Sequence, residues 1–188
     1  MKKITIIAAA IATSTAGAAI AHGGANGVVK DRMDAMADMG KAVKAITPMM
    51  RGEVAYDADA VRRAAATFSR HAGERMTELF PEGTGGAPSE ARATVWTRWE
   101  EFSELADQLG VYAEGLAGAA DNGLMGAGDT MSAGSMMGGS PDMMGGGAGM
   151  MGGGMTAEQI AEMPADGAYM MLAFACTACH TQFRAEGK

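Results

Sequence analysis

The 188-residue chain contains little cysteine, histidine, proline or aromatic residue: two Cys, three His, five Pro and 5% Phe, Trp and Tyr. Two cysteines can form at most one disulfide, so a disulfide-rich scaffold cannot be the source of the fold. A formal charge of −7 without a basic cluster argues against nucleic acid as a partner. After the first twenty or so residues no apolar run approaches the ~20 residues that a membrane span needs. We therefore expect a soluble mature protein with no membrane span.

The amino terminus has the pattern of a secretory signal peptide. Lys2 and Lys3 precede a short apolar stretch at 4–11, and Ala19-Ile20-Ala21 matches an A-x-A cleavage site. The alternative is a transmembrane anchor, but the strongly apolar part is too short for one. We therefore predict that residues 1–21 are removed after Ala21 and that the mature chain is periplasmic.

Four segments show helical periodicity, and the alternation typical of strands is absent. They lie at about 26–46, 57–79, 88–116 and 156–185. The sequence therefore predicts an all-α, antiparallel four-helix bundle, with helices 1–3 in residues 22–122 and helix 4 in 156–188.

Several residues mark the expected helix boundaries. Pro48 is expected to end the first helix, and Asp57 to cap the second. Ser89 is a plausible cap for the third helix. Thr156 with Gln159 predicts a capping box for the last region, which Pro164 and Gly167 are expected to interrupt. Along the first helix, apolar or small residues recur every three or four positions, as one buried face requires: Val29, Met33, Met36, Gly40, Val43 and Ile46.

Residues 123–155 contain thirteen glycines and nine methionines, and the methionine doublets repeat every seven residues. Such glycine density opposes regular structure, so we predict a disordered, flexible Met/Gly-rich loop between helices 3 and 4. Thioethers select soft cations, so Cu(I) is a candidate ligand. The alternatives are a spacer, a docking surface for a partner, or a sink for oxidants. The candidate copper ligands are Met131, Met136, Met137, Met143, Met144, Met150, Met151, Met155 and His22.

The two cysteines occur in Cys176-Thr177-Ala178-Cys179-His180, a C-x-x-C-H motif. On one helical turn, two thiols three residues apart can each form a thioether with a haem vinyl group. The adjacent imidazole can then bind the iron. A thioredoxin-like motif would need a strand–helix unit, a zinc site would need four ligands, and a disulfide leaves His180 unexplained. We therefore predict one covalently bound haem c.

The position of this motif on the last helix resembles the class II cytochromes c, that is, cytochrome c′ and its low-spin relatives. Further similar stretches are residues 29–36, Ala55-Tyr56-Asp57, residues 80–84 followed by Val95-Trp96, and Arg184 after His180. The resemblance covers 26–118 and 166–188 and leaves out the Met/Gly-rich loop.

The resemblance implies a haem wedged in the bundle core, with His180 as the proximal iron ligand. The residue four positions after the first-helix arginine, Arg32, would face the distal side of the iron, and here it is Met36. Met33 and Met39 are weaker candidates for that position. Arg32 would pair with a haem propionate or else be a solvated surface arginine. Arg184 would lie on the proximal side, near His180.

In this family a ligating methionine gives a low-spin electron carrier, whereas a non-ligating apolar residue leaves an open site for gases. The alternative role for Met36 is packing in the core without binding iron. We expect a non-enzymatic electron carrier with periplasmic redox partners, and the first two helices would form the interface of a homodimer. The alternatives are a five-coordinate protein that binds NO or CO, and a copper-binding protein that uses the Met/Gly-rich loop.

Overall fold

The computed structural model describes residues 24–125 and 154–185. The predicted signal peptide, His22 and every candidate copper ligand except Met155 lie outside these residues. The described helices are α1 (Gly27–Met50), α2 (Ala58–His71), α3 (Glu74–Thr77), α4 (Thr94–Thr97), α5 (Trp99–Ala119), α6 (Ala157–Ala161) and α7 (Ala165–Phe183). A 3₁₀ turn at Ala120–Asn122 follows α5.

The four long helices α1, α2, α5 and α7 form the expected four-helix bundle, so the predicted fold class is confirmed. α5 lies against α2, α6 and α7, and α1 packs on α2. The large side chains that are fully buried come from these elements and from α4: Ile46, Val61, Phe68, Val95, Phe102, Leu116, Ile160 and Leu172. Among the described residues, no helix combines the length and apolarity that crossing a membrane requires.

The first helix does not end at Pro48, as the sequence suggested, but continues to Met50. Pro48 has no backbone amide to donate, but the amides that follow it keep the last turn of the helix closed. The backbone amides of Arg51 and Glu53 still donate to the carbonyls of Thr47 and Pro48, at 3.1 and 2.9 Å.

The second segment is two helices and not the single one expected. Asp57 caps α2 as predicted, because its carboxylate accepts a hydrogen bond from the amide of Ala60 at 3.1 Å. The chain then turns at Gly73, whose φ of 60° lies in the left-handed region that favours glycine. The Gly73 amide donates to the carbonyl of Ala106 in α5 at 2.8 Å, so a tertiary contact replaces the next helical bond.

The third long helix starts at Trp99, about ten residues later than expected, and it continues through Gly115 and Gly118 to Ala119. Ser89 closes a local turn by accepting a bond from the amide of Ala91 at 3.0 Å, so its predicted role as a helix cap is wrong. Gly115 and Gly118 allow α6 to pack closely against α5. A Cβ on Gly115 would lie 2.5 Å from Cβ of Ile160, and one on Gly118 would lie equally close to that of Ala161.

The last helical region follows the prediction closely. Thr156 and Gln159 form the capping box, at 3.3 and 2.9 Å, and Pro164 separates α6 from α7. Gly167 does not interrupt α7 but is buried within it. The described ends of the expected Met/Gly-rich loop contact the bundle: the amide of Met125 donates to the Asp166 carboxylate at 2.9 Å, and Met155 packs against the core. The rest of the predicted loop, residues 126–153, lies outside the described residues.

Candidate haem-binding site

A cavity of about 450 Å³ opens at one end of the bundle. The first half of α1, the segment from Phe80 to Val95, the start of α5 and the end of α7 form its walls. Its volume falls in the range of 300–1,000 Å³ typical of ligand and cofactor sites. The residues that line it are Arg32, Met33, Met36, Ala37, Gly40, Phe80, Ser89, Glu90, Ala91, Val95, Phe102, Cys179, His180, Phe183 and Arg184.

On the α7 wall the two cysteines lie one helical turn apart. Both thiols are free and half-buried; Cys179 borders the cavity, and Cys176 packs against the core beside it. Burial raises the pKa of both thiols, that of Cys179 to about 11 with the help of the neighbouring Cys176. Nucleophilic C-x-x-C thiols have lowered pKa values. The thioredoxin-like alternative therefore receives no support from this environment.

His180 borders the same cavity and remains accessible from it. Partial burial of the imidazole lowers its pKa. The positive charge of Arg184 lowers the pKa further, and the negative charge of Glu90 raises it. A lowered pKa keeps the ring neutral, and the neutral ring is the form that binds a metal. The side chain is therefore suited to bind iron from the α7 wall.

The zinc alternative finds no ligand set. Among the described residues, no group of three or more His, Cys, Asp or Glu side chains lies close enough to hold a metal ion. A structural zinc site would need four such ligands. One imidazole and two thiols beside a large cavity instead match a cofactor that brings most of its own iron ligands, as haem does.

On the α1 wall two methionines face the cavity. Met33 and Met36 are both half-buried and line it, whereas Met39 is 6% exposed within the hydrophobic core and does not. Gly40 adds space on this wall, because no atom lies within 4 Å of where its Cβ would be. Most of the apolar stripe predicted along α1 thus faces the cavity or is only half-buried, and of its members only Ile46 is fully buried in the core.

Arg32 is buried, with 3% of its surface exposed, so it is not a solvated surface arginine. Its guanidinium donates to the carbonyl of Leu79 at 3.3 Å and to the hydroxyl and carbonyl of Thr84, with 3.1 Å to the hydroxyl. It also lies 4.8 Å above the ring of Phe80. Burial lowers the pKa of the guanidinium. Within the described residues it forms no ion pair with a carboxylate, although it borders the cavity.

Two cavity residues, Phe183 and Glu90, were missed by the sequence reasoning. Phe102 packs against Phe80 and Phe183 with ring centroids 4.8 and 5.4 Å apart, which makes an aromatic wall. The spacing of Phe183, three residues after His180, would have placed it on the same helix face. Glu90, which binds Arg184 through a 2.7 Å ion pair, carries no local signal, because its position depends on contact with a distant helix.

Comparisons with known proteins agree with this architecture. The family profile described as Cytochrome C' matches residues 27–139. A cytochrome c′ from Pararhodospirillum photometricum is 34% identical over 110 residues, which are 58% of this chain and 82% of that protein. A cytochrome c-556 from Agrobacterium tumefaciens (strain B2A) is 33% identical over 88 residues, 47% of this chain and 70% of that protein.

Solved structures give the same result for the fold. The crystal structure of cytochrome c′ from Thermochromatium tepidum matches with a TM-score of 0.57 and 25% identity, over 85% of this chain and 95% of that one. A cytochrome c′ variant from Rhodopseudomonas palustris matches with a TM-score of 0.58 and 18% identity, over 86% of this chain and 100% of that one. The chain therefore belongs to the cytochrome c′ family of haem c proteins, whose members carry electrons or bind gases.

Proposed function

We propose that this chain is a monohaem electron carrier. Its haem is bonded to Cys176 and Cys179, and the iron is held between His180 and Met36. The observation that carries the proposal is the cavity itself, because the C-x-x-C-H end of α7 borders it on one wall and a methionine from α1 on another.

The α7 residues have the chemistry that attachment needs. The two thiols are free and one helical turn apart, so neither is consumed by a disulfide. The imidazole of His180 is held neutral by its surroundings and is available to bind a metal. When bound, haem supplies a one-electron ferric/ferrous couple. Apolar side chains such as Val95 and Phe102 keep water away from that centre, which limits rearrangement when its charge changes.

Met36 is the proposed distal ligand. A thioether is a soft, neutral donor that favours the reduced iron and raises the reduction potential. A methionine in that position also closes the site to gases. Met33 lies on the same wall one turn earlier and has the same side chain. The two residues therefore form a matched pair for an experimental test.

Arg32 is the proposed partner of a haem propionate. It is a buried cation with no carboxylate bound to it within the described residues, and it borders the cavity. A buried charge without a counter-charge is unfavourable, so an anionic group entering the cavity would stabilise it. Its bonds to Leu79 and Thr84 already fix the guanidinium in place.

The second candidate function is gas binding, and one feature of the cavity favours it. Met33 and Met36 are only half-buried and Gly40 leaves open space beside them, so the α1 wall has room for a small ligand if Met36 does not reach the iron.

The copper hypothesis rests almost entirely on residues outside the described part of the chain. Met155, the exception, packs against the core, where it is poorly placed to bind a metal.

Optical spectra and carbon monoxide binding test the proposal. Wild type, Met36→Ala and Met33→Ala should be purified from the periplasm, where the predicted signal peptide would deliver them. We expect wild type and Met33→Ala to be low-spin and to bind carbon monoxide poorly. Met36→Ala should become high-spin and bind the gas readily. A high-spin wild type that binds carbon monoxide would replace electron transfer with the gas-binding function.

A further inference from the structure

The carboxyl end of α7 is closed by a distant segment, residues 89–94. A helix leaves its last four carbonyls without helical partners. Here the carbonyls of Thr181, Gln182 and Phe183 accept bonds from Arg92 Nη1, Thr94 Oγ1 and the Arg92 amide, at 3.2, 2.9 and 2.8 Å. The carbonyl of His180 accepts the Arg184 amide at 3.1 Å. The helix end that carries His180 is thus fixed by residues about ninety positions earlier in the chain.

Glu90 belongs to this segment and makes two contacts of its own. Its carbonyl accepts the amide of Ala185 at 2.7 Å, and its carboxylate binds Nε of Arg184 at 2.7 Å. Ala91 and Arg184 also form an antiparallel bridge. Glu90, Arg184 and His180 all border the cavity. The ion pair is therefore part of the site that holds His180.

Exposed ion pairs usually contribute little to the stability of a fold, because two long side chains must be ordered in water. Glu90 and Arg184 are each about half exposed, at 48% and 52% of the side-chain surface. Their backbones, however, are already tied together by the bonds around Ala91, so less freedom is lost when the side chains meet. We expect the effect of this pair to be on the charge next to the haem more than on the stability of the fold.

We propose that Glu90 is a positioning residue: it holds Arg184 beside His180 and balances the positive charge of the guanidinium next to the haem iron. The inference rests on the proposed haem attachment at His180, but it does not depend on whether Met36 binds iron.

Removing the carboxylate charge should shift the ferrous-to-ferric ratio of the haem iron in a predictable direction. In Glu90→Gln the amide oxygen can still accept a bond from Arg184, but the positive charge is no longer balanced. A positive charge near the iron favours the ferrous state. For an effective dielectric constant between about 20 and 40, the loss of one charge about 10 Å away should raise the ferrous-to-ferric ratio about fourfold to fifteenfold at a fixed applied potential.

Spectroelectrochemical titration of the haem-loaded protein tests this role. The variants are Glu90→Gln, Arg184→Ala and the double variant, with Glu114→Gln as the control. Glu114 is an exposed residue of α5, twelve positions and about 18 Å along the helix from Phe102. We expect a roughly fourfold or larger rise in the ratio for Glu90→Gln and little change for the control. In the Arg184→Ala background Glu90→Gln should still shift the ratio through the loss of its own charge, but by a different amount, because no guanidinium is left there to lose its position. Glu90→Asp should behave like wild type.

Two results would overturn the role of Glu90. One is a Glu90→Gln shift no larger than that of Glu114→Gln, and the other is an equal Glu90→Gln shift with and without Arg184. Failure of the underlying function can be recognised separately. If wild type shows no covalent haem stain on a denaturing gel, haem attachment itself is disproved, and the proposed role of Glu90 is disproved with it.

Discussion

Replacing Phe102 by alanine should both destabilise the bundle and disturb the haem site. Phe102 is 1% exposed and lies at the centre of the aromatic wall, 4.8, 5.4 and 5.7 Å from the rings of Phe80, Phe183 and Trp99. Truncating a buried phenylalanine typically destabilises a protein by about 3–5 kcal/mol. At about 3–5 °C per kcal/mol for a domain of this size, the melting temperature should fall by roughly 10–25 °C.

Phe68→Ala supplies a matched control. Phe68 is also 1% exposed, but it lies in α2 and does not line the cavity. We expect both variants to lose similar stability in urea titrations followed by circular dichroism. Only Phe102→Ala should also shift the visible haem spectrum and the reduction potential, because only this change enlarges the cavity.

Two outcomes would refute this reasoning. A loss below about 1 kcal/mol for Phe102→Ala would mean that its surroundings collapse into the space or that the aromatic wall is not packed as described. An equal spectral shift in Phe68→Ala would mean that the haem lies elsewhere in the bundle.

Three further predictions concern the packing and the charges of the fold. Gly115→Ala should destabilise the protein by about 1–3 kcal/mol in urea, because the new Cβ would lie 2.5 Å from Cβ of Ile160. Gly110→Ala, whose Cβ meets only an ordinary 3.6 Å contact, should be neutral or stabilising by up to about 1 kcal/mol. In the haem-loaded protein Arg32→Met should lower the free energy of unfolding by about 1–3 kcal/mol, because the part-buried carbonyls of Leu79 and Thr84 lose their donor; an unchanged value would mean that these bonds do not stabilise the fold. In haem-free protein, the raised pKa of Cys179, from 9.0 to about 11, should make stability fall between those pH values, since the unfolded thiol ionises first. Cys179→Ala should abolish that part of the fall, and identical pH profiles for the two proteins would refute it.

Local signals predicted well what local interactions determine. The cap at Asp57, the capping box at Thr156 and the break at Pro164 each depend on side chains within a few residues, and the structure has all three. The C-x-x-C-H spacing likewise placed Cys179 and His180 on one side of α7, where both border the cavity. These features need no knowledge of the rest of the chain.

The errors occur where distant contacts override local preference. The second helix breaks at Gly73 because its amide bonds to Ala106 of α5, and residues 89–93 stay irregular because Arg92 binds the end of α7. Neither interaction leaves a pattern in the nearby sequence. Glu90 escaped notice for the same reason.

The stripe along α1 illustrates a different limit of sequence reasoning. Apolar periodicity identified a face that avoids water, but it cannot distinguish packing against protein from packing against a cofactor. Met33, Met36 and Gly40 line the cavity, while Met39, which lies outside the stripe, is in the protein core. Helix geometry alone therefore does not choose between Met33 and Met36 as the iron ligand.

The near-infrared spectrum of the ferric protein tests the central claim most directly, because a methionine sulfur bound to ferric haem iron gives a weak charge-transfer band there. If His180 and Met36 hold the iron, wild type and Met33→Ala should show the band and Met36→Ala should lack it. A wild type without the band, or a band that disappears in Met33→Ala and persists in Met36→Ala, would contradict the ligation proposed for this chain.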